Sequence, residues 1–266
     1  MASVSVKNVS VQIPIYGVGS ASIRTALLGR AVGGGLGKAG SHVVVTALKD
    51  VSFEARDGDR IGLVGSNGSG KSTLLRVLSD VYPPTTGTVS VTGSVSPMFD
   101  AMLGMNLDAS GMDNIRLCGR MWGLSPEQIQ QNTQDVVDFT ELGDFLNVPV
   151  RTYSTGMRMR LAFAIATVRQ PDIFLIDEII GAGDPAFFNK AFERIKGVIS
   201  RSRILFVASH SDIILKQLCN KIFWLDRGTL VQQGDIDTVL AAYQGKDAQT
   251  GPTDIHSQLV TALPTG

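Results

Sequence analysis

The segment GSNGSGKST, Gly65 to Thr73, has the residue types and the spacing of a phosphate-binding loop. Glycines let the backbone curl until successive N–H groups point at phosphate oxygens. Lys71 adds a charge for the β- and γ-phosphates, and the Ser72 hydroxyl can bind Mg²⁺. A glycine turn could match by chance, but a strand-like IGLVG before it and a helix-like STLLRVLSD after it give the context that the motif requires. We therefore predict that a nucleoside triphosphate contacts Gly65, Ser66, Asn67, Gly68, Ser69, Gly70, Lys71, Ser72 and Thr73.

Two further groups of polar residues follow segments that are typical of buried strands. Asp177 and Glu178 end DIFLIDE, and His210 ends ILFVASH. Ligands of parallel sheets bind at the carboxyl ends of the strands, so we expect these side chains to meet the phosphate loop at one site. Asp177 can then bind Mg²⁺, directly or through water, and Glu178 can polarise the water that attacks the γ-phosphoryl group. Taken alone, the carboxylates could equally belong to a solvated loop or a helix cap, and His210 to the structural framework.

The segments around these residues alternate between apolar strands and helices, which predicts an α/β fold with a mainly parallel sheet covered by helices. Residues 3–15 alternate as a strand, and the segment 43–65 predicts two or three strands with a turn at 57–59. TGTVSVTGSVS predicts a strand pair around Gly87 and Gly93. The glycine-rich segment 29–42 is expected to be a flexible surface loop.

A helical insertion interrupts this pattern between about residues 103 and 153. MDNIRLCGRMWGL predicts one helix there. The segment 125–146 predicts a second, which Ser125 can cap. Its apolar face is expected to contain Val136, Phe139 and Leu142.

Four helices are predicted after the insertion, and one of them is the segment SDIILKQLC at 211–219. Ser154 can cap a helix that runs through Val168 and stops before Pro171. PAFFNKAFERIKGVIS predicts an amphipathic helix with Phe188, Phe192, Ile195 and Ile199 on one stripe. The last helix is expected to end near Gly245, which gives a domain at 1–245 and a flexible tail at 246–266.

Composition favours a globular protein without a general attraction to nucleic acid. The 266 residues contain 24 Lys and Arg and 24 Asp and Glu, so the net charge is zero. Cys118 and Cys219 lack the spacing of metal ligands and are expected to be reduced and structural. No signal peptide and no run of 18 apolar residues is present in the sequence. We expect a soluble cytoplasmic protein, and docking on a membrane protein is compatible with these features.

In their order along the chain, over residues 3–245, the motifs resemble those of the ATPase subunit of an ATP-binding cassette (ABC) transporter. After the phosphate loop, YSTGM at 153–157 resembles the family signature and PDIFLIDE at 171–178 the Walker B strand. GAGD at 181–184 resembles the D-loop, and SH at 209–210 the H-switch. The resemblance implies a P-loop NTPase fold, namely an ABC nucleotide-binding domain in which an N-terminal antiparallel β subdomain and a helical insertion join the parallel core.

The resemblance also implies a homodimer that holds two ATP molecules between head-to-tail subunits. The segment Ser154-Thr155-Gly156 would contact the γ-phosphate bound to the partner, through the N-terminus of the helix that begins there. Asp184 would lie at the dimer contact, and His210 near the γ-phosphate. Glu178 would act as the base while Lys71 and Mg²⁺ neutralise charge.

Departures from the family pattern indicate one branch. The signature reads STGM instead of SGGQ, and MFDAMLGMN has no glutamine where the Q-loop is expected, so that Asp100 falls nearest to this metal-sensing position. With the early segment IPIYG, these features resemble ATPases that export O-antigen, capsule and teichoic acid. Tyr16 resembles the aromatic residue that stacks on adenine, and its alternative is an ordinary half-buried tyrosine. Some members of this branch carry a C-terminal sugar-binding domain, for which we expect no room here.

The implied function is that of a motor subunit on the cytoplasmic face of the inner membrane. It would act beneath two copies of a separate permease, gripped by the helical insertion, and export a lipid-linked polysaccharide. One alternative is the ATPase of an importer or a drug exporter. Another is an ABC protein of DNA repair or translation, although such proteins carry coiled-coil insertions or two cassettes. The third is a nucleotide-binding regulator without turnover.

Overall fold

The computed structural model describes residues 1–15, 35–39, 42–98, 104–177 and 185–250. Ten strands and seven α-helices are described in these ranges, and they form two sheets with helices around the second one. This arrangement confirms the predicted α/β class.

A four-stranded antiparallel sheet contains most of the N-terminal part of the chain, in the order β2-β3-β1-β5. Its strands are β1 (Ser3–Ile15), β2 (Gly35–Ala39), β3 (His42–Arg56) and β5 (Thr86–Thr92). The prediction of a loop throughout 29–42 was wrong, because β2 pairs with β3 from Gly35 opposite Thr46 to Ala39 opposite His42. Backbone pairing across a long neighbouring strand makes this segment a strand despite its glycines.

A six-stranded sheet forms the centre of the molecule, in the order β10-β9-β4-β8-β7-β6. Its members are β4 (Arg60–Val64), β6 (Val95–Met98), β7 (Ile173–Asp177), β8 (Ile204–Ala208), β9 (Lys221–Asp226) and β10 (Thr229–Gly234). All neighbours are parallel except β9 and β10, which form a hairpin. The strands predicted around Gly87 and Gly93 exist, but they belong to different sheets. Gly93, with φ of 113°, lies where the chain passes from one sheet to the other.

Helices cover the six-stranded sheet and build the insertion between β6 and β7. The seven are α1 (Lys71–Leu78), α2 (Gly111–Met121), α3 (Pro126–Thr140), α4 (Thr155–Ala166), α5 (Pro185–Arg201), α6 (Asp212–Leu218) and α7 (Ile236–Thr250). Ser125 caps α3 with a full capping box, as predicted. None of these described helices is both long and apolar enough to cross a bilayer.

Three predicted helix ends are corrected by the structure. The helix expected over 125–146 ends at Thr140, because Glu141 adopts a left-handed conformation and a 3₁₀ turn follows at Gly143–Asn147. Helix α4 ends at Ala166, two residues before Val168. Helix α7 continues to Thr250, past the predicted end at Gly245.

Aromatic side chains fill the core on both faces of the central sheet. On one face Phe53 packs against Phe206 and Phe223 at centroid distances of 5.9 and 5.1 Å. On the other face three rings contact one another, namely those of Phe139 from the helical insertion, Phe163 from α4 and Phe187 from α5. Such contacts bury large apolar areas and fix the angles at which the layers meet.

The buried stripe of α5 contains the predicted Ile195 and Ile199 but differs from the prediction at Phe192. It contains Phe187, Ala191, Ile195, Val198 and Ile199. Phe192 is only half-buried, and the Lys196 ammonium lies 4.7 Å from its ring centroid. A ring at a helix surface can pack its edge inward while its face binds a cation, so the apolar period alone did not show that Phe192 is only partly buried.

Candidate nucleotide-binding site

Three parallel strands end side by side at one edge of the central sheet. Leu63 of β4 is paired with Ala208 of β8, which is in turn paired with Asp177 of β7. The segments that follow these strands therefore leave the sheet together. They border a cleft of about 440 Å³. Its lining residues are Val45, Ala47, Asn67, Gly68, Ser69, Gly70, Lys71, Ser72, Thr73, Asp177 and His210.

The loop between β4 and α1 has a conformation that two of its glycines make possible. Gly65 and Gly70 have φ values of 144° and 107°, which side-chain-bearing residues rarely adopt. A Cβ atom on Gly65 would lie 2.1 Å from the Leu225 carbonyl oxygen, and one on Gly70 would lie 2.8 Å from the Ala47 carbonyl oxygen. Both contacts are with backbone, which cannot move aside easily. The glycines of the predicted motif are thus required by space as well as by torsion.

The N-terminus of α1 is arranged for an anionic ligand. Its N-cap is Gly70, no side chain of the described residues caps it, and its first turn contains no acidic residue. Helices α2, α3 and α4 differ, since the hydroxyls of Ser110, Ser125 and Ser154 accept hydrogen bonds from their first turns. The initial N–H groups of α1 and the positive end of its dipole therefore border the cleft without a built-in acceptor.

Lys71 lies across the mouth of this loop. Its side chain is 7% exposed, and its ammonium donates hydrogen bonds to the carbonyl oxygens of Gly65, at 2.6 Å, and Ser66, at 3.2 Å. A buried ammonium needs such partners because desolvation penalises an unpaired charge. These contacts hold the positive charge over the loop, where the β- and γ-phosphates of a nucleotide would meet it.

The cleft contains oxygen donors that suit Mg²⁺. Two half-buried residues line it, Ser72 in the first turn of α1 and Asp177 at the end of β7. The described residues contain no cluster of three or more His, Cys, Asp or Glu. Ser72 and Asp177 would hold a Mg²⁺ ion here together with phosphate and water, which is how this ion is usually bound beside nucleotides.

The segment Ser154-Thr155-Gly156 does not line this cleft. It forms the exposed beginning of α4, where the Ser154 hydroxyl accepts a hydrogen bond of 3.2 Å from the Met157 N–H. A Cβ on Gly156 would approach nothing closer than the Ser154 hydroxyl, at 4.0 Å. Before it, the buried Tyr153 hydroxyl donates to the Phe145 carbonyl, and burial raises the pKa of Tyr153. A second helix N-terminus is thus held in place and open to an external partner.

Four predicted site residues, namely Tyr16, Asp100, Glu178 and Asp184, lie outside the described residues. Two residues that line the cleft were not predicted, Val45 and Ala47 of β3. They supply an apolar wall beside the phosphate loop. The sequence predicts only that these two residues belong to a strand. Their position beside the loop depends on how the two sheets pack, which the sequence pattern does not show.

Comparison with known proteins matches this chain to one family. The family model for the ABC transporter matches residues 48–181. The chain is 44% identical to the O-antigen export system ATP-binding protein RfbE of Yersinia enterocolitica, over 88% of this chain and 98% of that protein. It is 39% identical to the teichoic acids export ATP-binding protein TagH of Listeria monocytogenes, over 74% of this chain but only 58% of TagH.

Solved structures show the same fold. One, described as the ATP-binding subunit of an ABC transporter, has a TM-score of 0.68 at 18% identity and covers 91% of this chain and 93% of its own. Another is a dimeric ATP-binding cassette in a post-hydrolysis state with ADP and Pi, with a TM-score of 0.64 at 21% identity over 88% and 98% of the two chains. The predicted P-loop fold of the ABC type is thereby confirmed.

Proposed function

This chain is an ATP-binding cassette ATPase of the ABC transporter family, and from that premise we propose that it powers the export of a lipid-linked polysaccharide through a separate membrane permease. One observation carries the choice of cargo, namely the 44% identity with an O-antigen export protein over almost the whole length of that relative. The teichoic acid relative supports the same class of cargo. Both relatives are named for export.

In the proposed reaction the phosphate loop binds the ATP phosphates through its N–H groups and through Lys71. Ser72 and Asp177 hold Mg²⁺, and Asp100 is proposed to sense it. Glu178 follows Asp177 directly in the chain and would polarise the attacking water, with His210 beside the γ-phosphate. The convergence of Lys71, Ser72, Asp177 and His210 on one cleft supports this division of roles. Tyr16 is proposed to stack on adenine.

The proposed working unit is a homodimer in which each site uses residues of both subunits. The exposed N-terminus of α4, away from its own cleft, supports a contact with ATP bound to the partner. There Ser154, Thr155 and Gly156 would meet the γ-phosphate, and Asp184 would lie at the subunit contact. Two identical head-to-tail contacts close a C₂ pair. ATP binding would close the dimer and hydrolysis would reopen it.

The proposed location is the cytoplasmic face of the inner membrane, where the helical subdomain at about 103–153 would grip the permease. We propose residues 1–245 as the body of the ATPase domain and 246–266 as its tail, whose first residues, up to Thr250, continue α7. Apolar side chains on the outside of the insertion support docking there, since Phe145 is 56% and Met121 64% exposed. No nucleic acid partner is proposed.

The test is a Lys71→Ala substitution in cells that make the polysaccharide. Removing a charge that stabilises the transition state should lower ATP turnover by about a hundredfold or more. Polymer should then disappear from the cell surface and accumulate inside on its lipid carrier, as measured by extraction and immunoblotting. Lys7→Ala, which removes an exposed lysine of β1, is the matched control and should export normally.

Two outcomes would contradict the proposal in different places. Normal surface polysaccharide in Lys71→Ala cells, together with failed transport of a drug or small molecule, would reject the cargo but keep the ATPase. Co-purification with nucleic acid or ribosomes instead of a membrane protein would reject a role in transport.

A further inference from the structure

The turn of the β9–β10 hairpin lies against the outside of the phosphate loop. It has two residues, Arg227 and Gly228, between the paired Asp226 and Thr229. Their φ values of 47° and 83° are those of the tight turn that matches the twist of a hairpin. This turn is about 160 residues from the phosphate loop in sequence, and neither of its residues lines the nucleotide cleft.

Gly228 joins the phosphate loop to the antiparallel sheet through both of its backbone polar groups. Its N–H donates a hydrogen bond of 2.9 Å to the Ser69 carbonyl oxygen in the loop. Its own carbonyl oxygen accepts a hydrogen bond of 2.8 Å from the Lys49 N–H of β3. One residue of the turn therefore connects the loop to a strand of the other sheet.

We propose that Gly228 is a positioning residue for nucleotide binding, because it sets the direction of the Gly70 N–H. The Ser69 carbonyl and the Gly70 N–H belong to one planar trans peptide, so they point in opposite directions. When Gly228 holds the Ser69 oxygen on the outer side of the loop, the Gly70 N–H is directed to the inner side, where phosphate binds. This inference rests on the proposed binding of ATP and extends it to a residue that does not touch ATP.

Space around Gly228 requires a glycine for this task. A Cβ there would lie 2.8 Å from the carbonyl oxygen and 3.1 Å from the carbonyl carbon of Ala47, and 3.2 Å from Cα of Leu48. All three are backbone atoms of β3, so the turn would have to move as a unit. A shift of the turn withdraws the donor from Ser69 and frees that peptide to rotate.

Helix α7, the last described helix, contacts the end of β9 just before this turn. Lys246 of α7 forms an ion pair of 2.6 Å with Asp226, and its ammonium lies 5.2 Å from the ring centroid of Trp224. Trp224 in turn makes an edge contact with Tyr243 of the same helix. These contacts fix the end of β9, so Gly228 presents its N–H from a rigid base.

The test compares Gly228→Ala with Gly58→Ala in the purified full chain. Both glycines lie in tight turns, with φ of 83° and 90°, so alanine introduces similar backbone strain at each. A Cβ on Gly58 meets nothing within 4 Å, which makes this variant the matched control. The affinity for a fluorescent ADP analogue is measured by titration, and the melting temperature of each variant is recorded.

We expect both variants to melt earlier, but only Gly228→Ala to bind ADP more weakly, by about tenfold or more, because a small misplacement of the binding groups is sufficient. A purely structural role would lower both melting temperatures and leave both affinities unchanged. Gly228→Ala affinity within twofold of the Gly58→Ala value would overturn the proposal.

Amide hydrogen exchange on the unmodified chain decides the matter if Gly228→Ala does not fold. The reference is the Gly58 N–H, a turn amide remote from the loop, which donates a hydrogen bond of 2.8 Å to the Arg203 carbonyl oxygen. ADP should slow exchange at Gly228 and leave Gly58 unchanged. Equal exchange at Gly228 with and without ADP would reject the inference. Binding of ADP needs neither permease nor cargo, so an error in the export proposal does not affect this result. An unmodified chain that binds no ADP would reject both the proposed ATPase function and the role of Gly228.

Discussion

Three serines begin three helices in the same way. The hydroxyls of Ser110, Ser125 and Ser154 accept hydrogen bonds of 3.1, 3.3 and 3.2 Å from the N–H three residues later. Each satisfies a donor that the helix leaves unpaired. Only Ser154 stands at the segment that is proposed to reach the partner's ATP. The chain therefore contains its own control for separating capping from catalysis.

Ser154→Ala should lower ATP turnover by more than about tenfold, since it removes a proposed ligand of the γ-phosphate as well as a cap. Ser125→Ala should leave turnover unchanged. Both should lower the free energy of unfolding by about 1 kcal/mol, the usual contribution of a serine cap. Phosphate release and urea denaturation measure the two effects. Equal losses of turnover in the two variants would mean that Ser154 acts only as a cap.

Residues with a local motif could be predicted from the sequence, and residues that act through distant packing could not. The phosphate loop is contiguous, and Asp177 and His210 follow recognisable strands, so their meeting at one cleft was predictable. Val45 and Gly228 carry no such pattern. Their approach to the loop is decided by the contact between two sheets, and no spacing along the chain encodes that contact.

At the scale of elements, Asp172 fastens three strands at the edge of the sheet opposite the cleft. Its Oδ2 accepts hydrogen bonds from the Ser94 N–H, at 2.9 Å, and the Ser94 hydroxyl, at 3.0 Å, just before β6. Its Oδ1 pairs with Arg203 at 3.0 Å, just before β8. The pKa of Asp172 is lowered from its ordinary value of 3.8, mainly by the hydrogen bond from the Ser94 N–H. The charge of Arg203 lowers this pKa further.

Asp172→Asn should destabilise the fold at pH 7 by about 1 kcal/mol. This is less than the usual contribution of a hydrogen-bonded charge, because solvent screens the partly exposed carboxylate. A carboxyl with a lowered pKa stabilises the fold above its unfolded pKa, and this contribution is lost as pH falls through the folded value. The difference between variant and unmodified chain should therefore shrink below about pH 4. Urea denaturation at pH 7 and pH 3 measures it. Asp144→Asn, at an exposed position, controls for the removal of a charge. A difference that stays constant across this range would contradict the role of the ionised carboxyl.

The existence of most elements was predictable, but their partners were less so. Period and caps indicated β1, β4, β7, β8 and most helices. The separation of β5 from β6 into two sheets was missed, because a glycine turn between two short strands is equally typical of a hairpin. Strand β2 was missed for a related reason, since its composition favours a loop and only the neighbouring β3 makes it a strand.

At the scale of the molecule, α5 joins the helical insertion to the core. Arg194 of α5 forms a two-pronged ion pair with Asp135 of α3 and donates a hydrogen bond of 2.7 Å to the Thr167 hydroxyl after α4. Its guanidinium lies 4.5 Å from the ring centroid of Phe139. The proposed D-loop directly precedes α5 in the chain. Arg194 therefore links α5 to α3 and to the end of α4, the helix that begins at the proposed dimer-contact residue Ser154.

Glu178→Gln should trap ATP and hold two chains in a closed dimer, because the amide cannot act as the base that permits reopening. Light scattering with ATP and Mg²⁺ should give twice the mass of the monomer, and the bound nucleotide should be ATP. Glu193→Gln, an exposed position on α5, should hydrolyse ATP normally and serves as control. Hydrolysis by Glu178→Gln at the unmodified rate would show that another group is the base.

The place of β4 in the sheet has a consequence for synthesis on the ribosome. This strand leads into the phosphate loop, yet both of its sheet neighbours, β8 and β9, come later in the chain. About 140 residues separate the end of β4 from the start of β8, which corresponds to on the order of ten seconds of translation. During that interval the apolar strand has no partner in the parallel sheet, and unpaired strands of this kind are prone to aggregation. A nascent chain should acquire nucleotide only after its hairpin has left the exit tunnel, so ATP binding reports that synthesis of the domain is nearly complete.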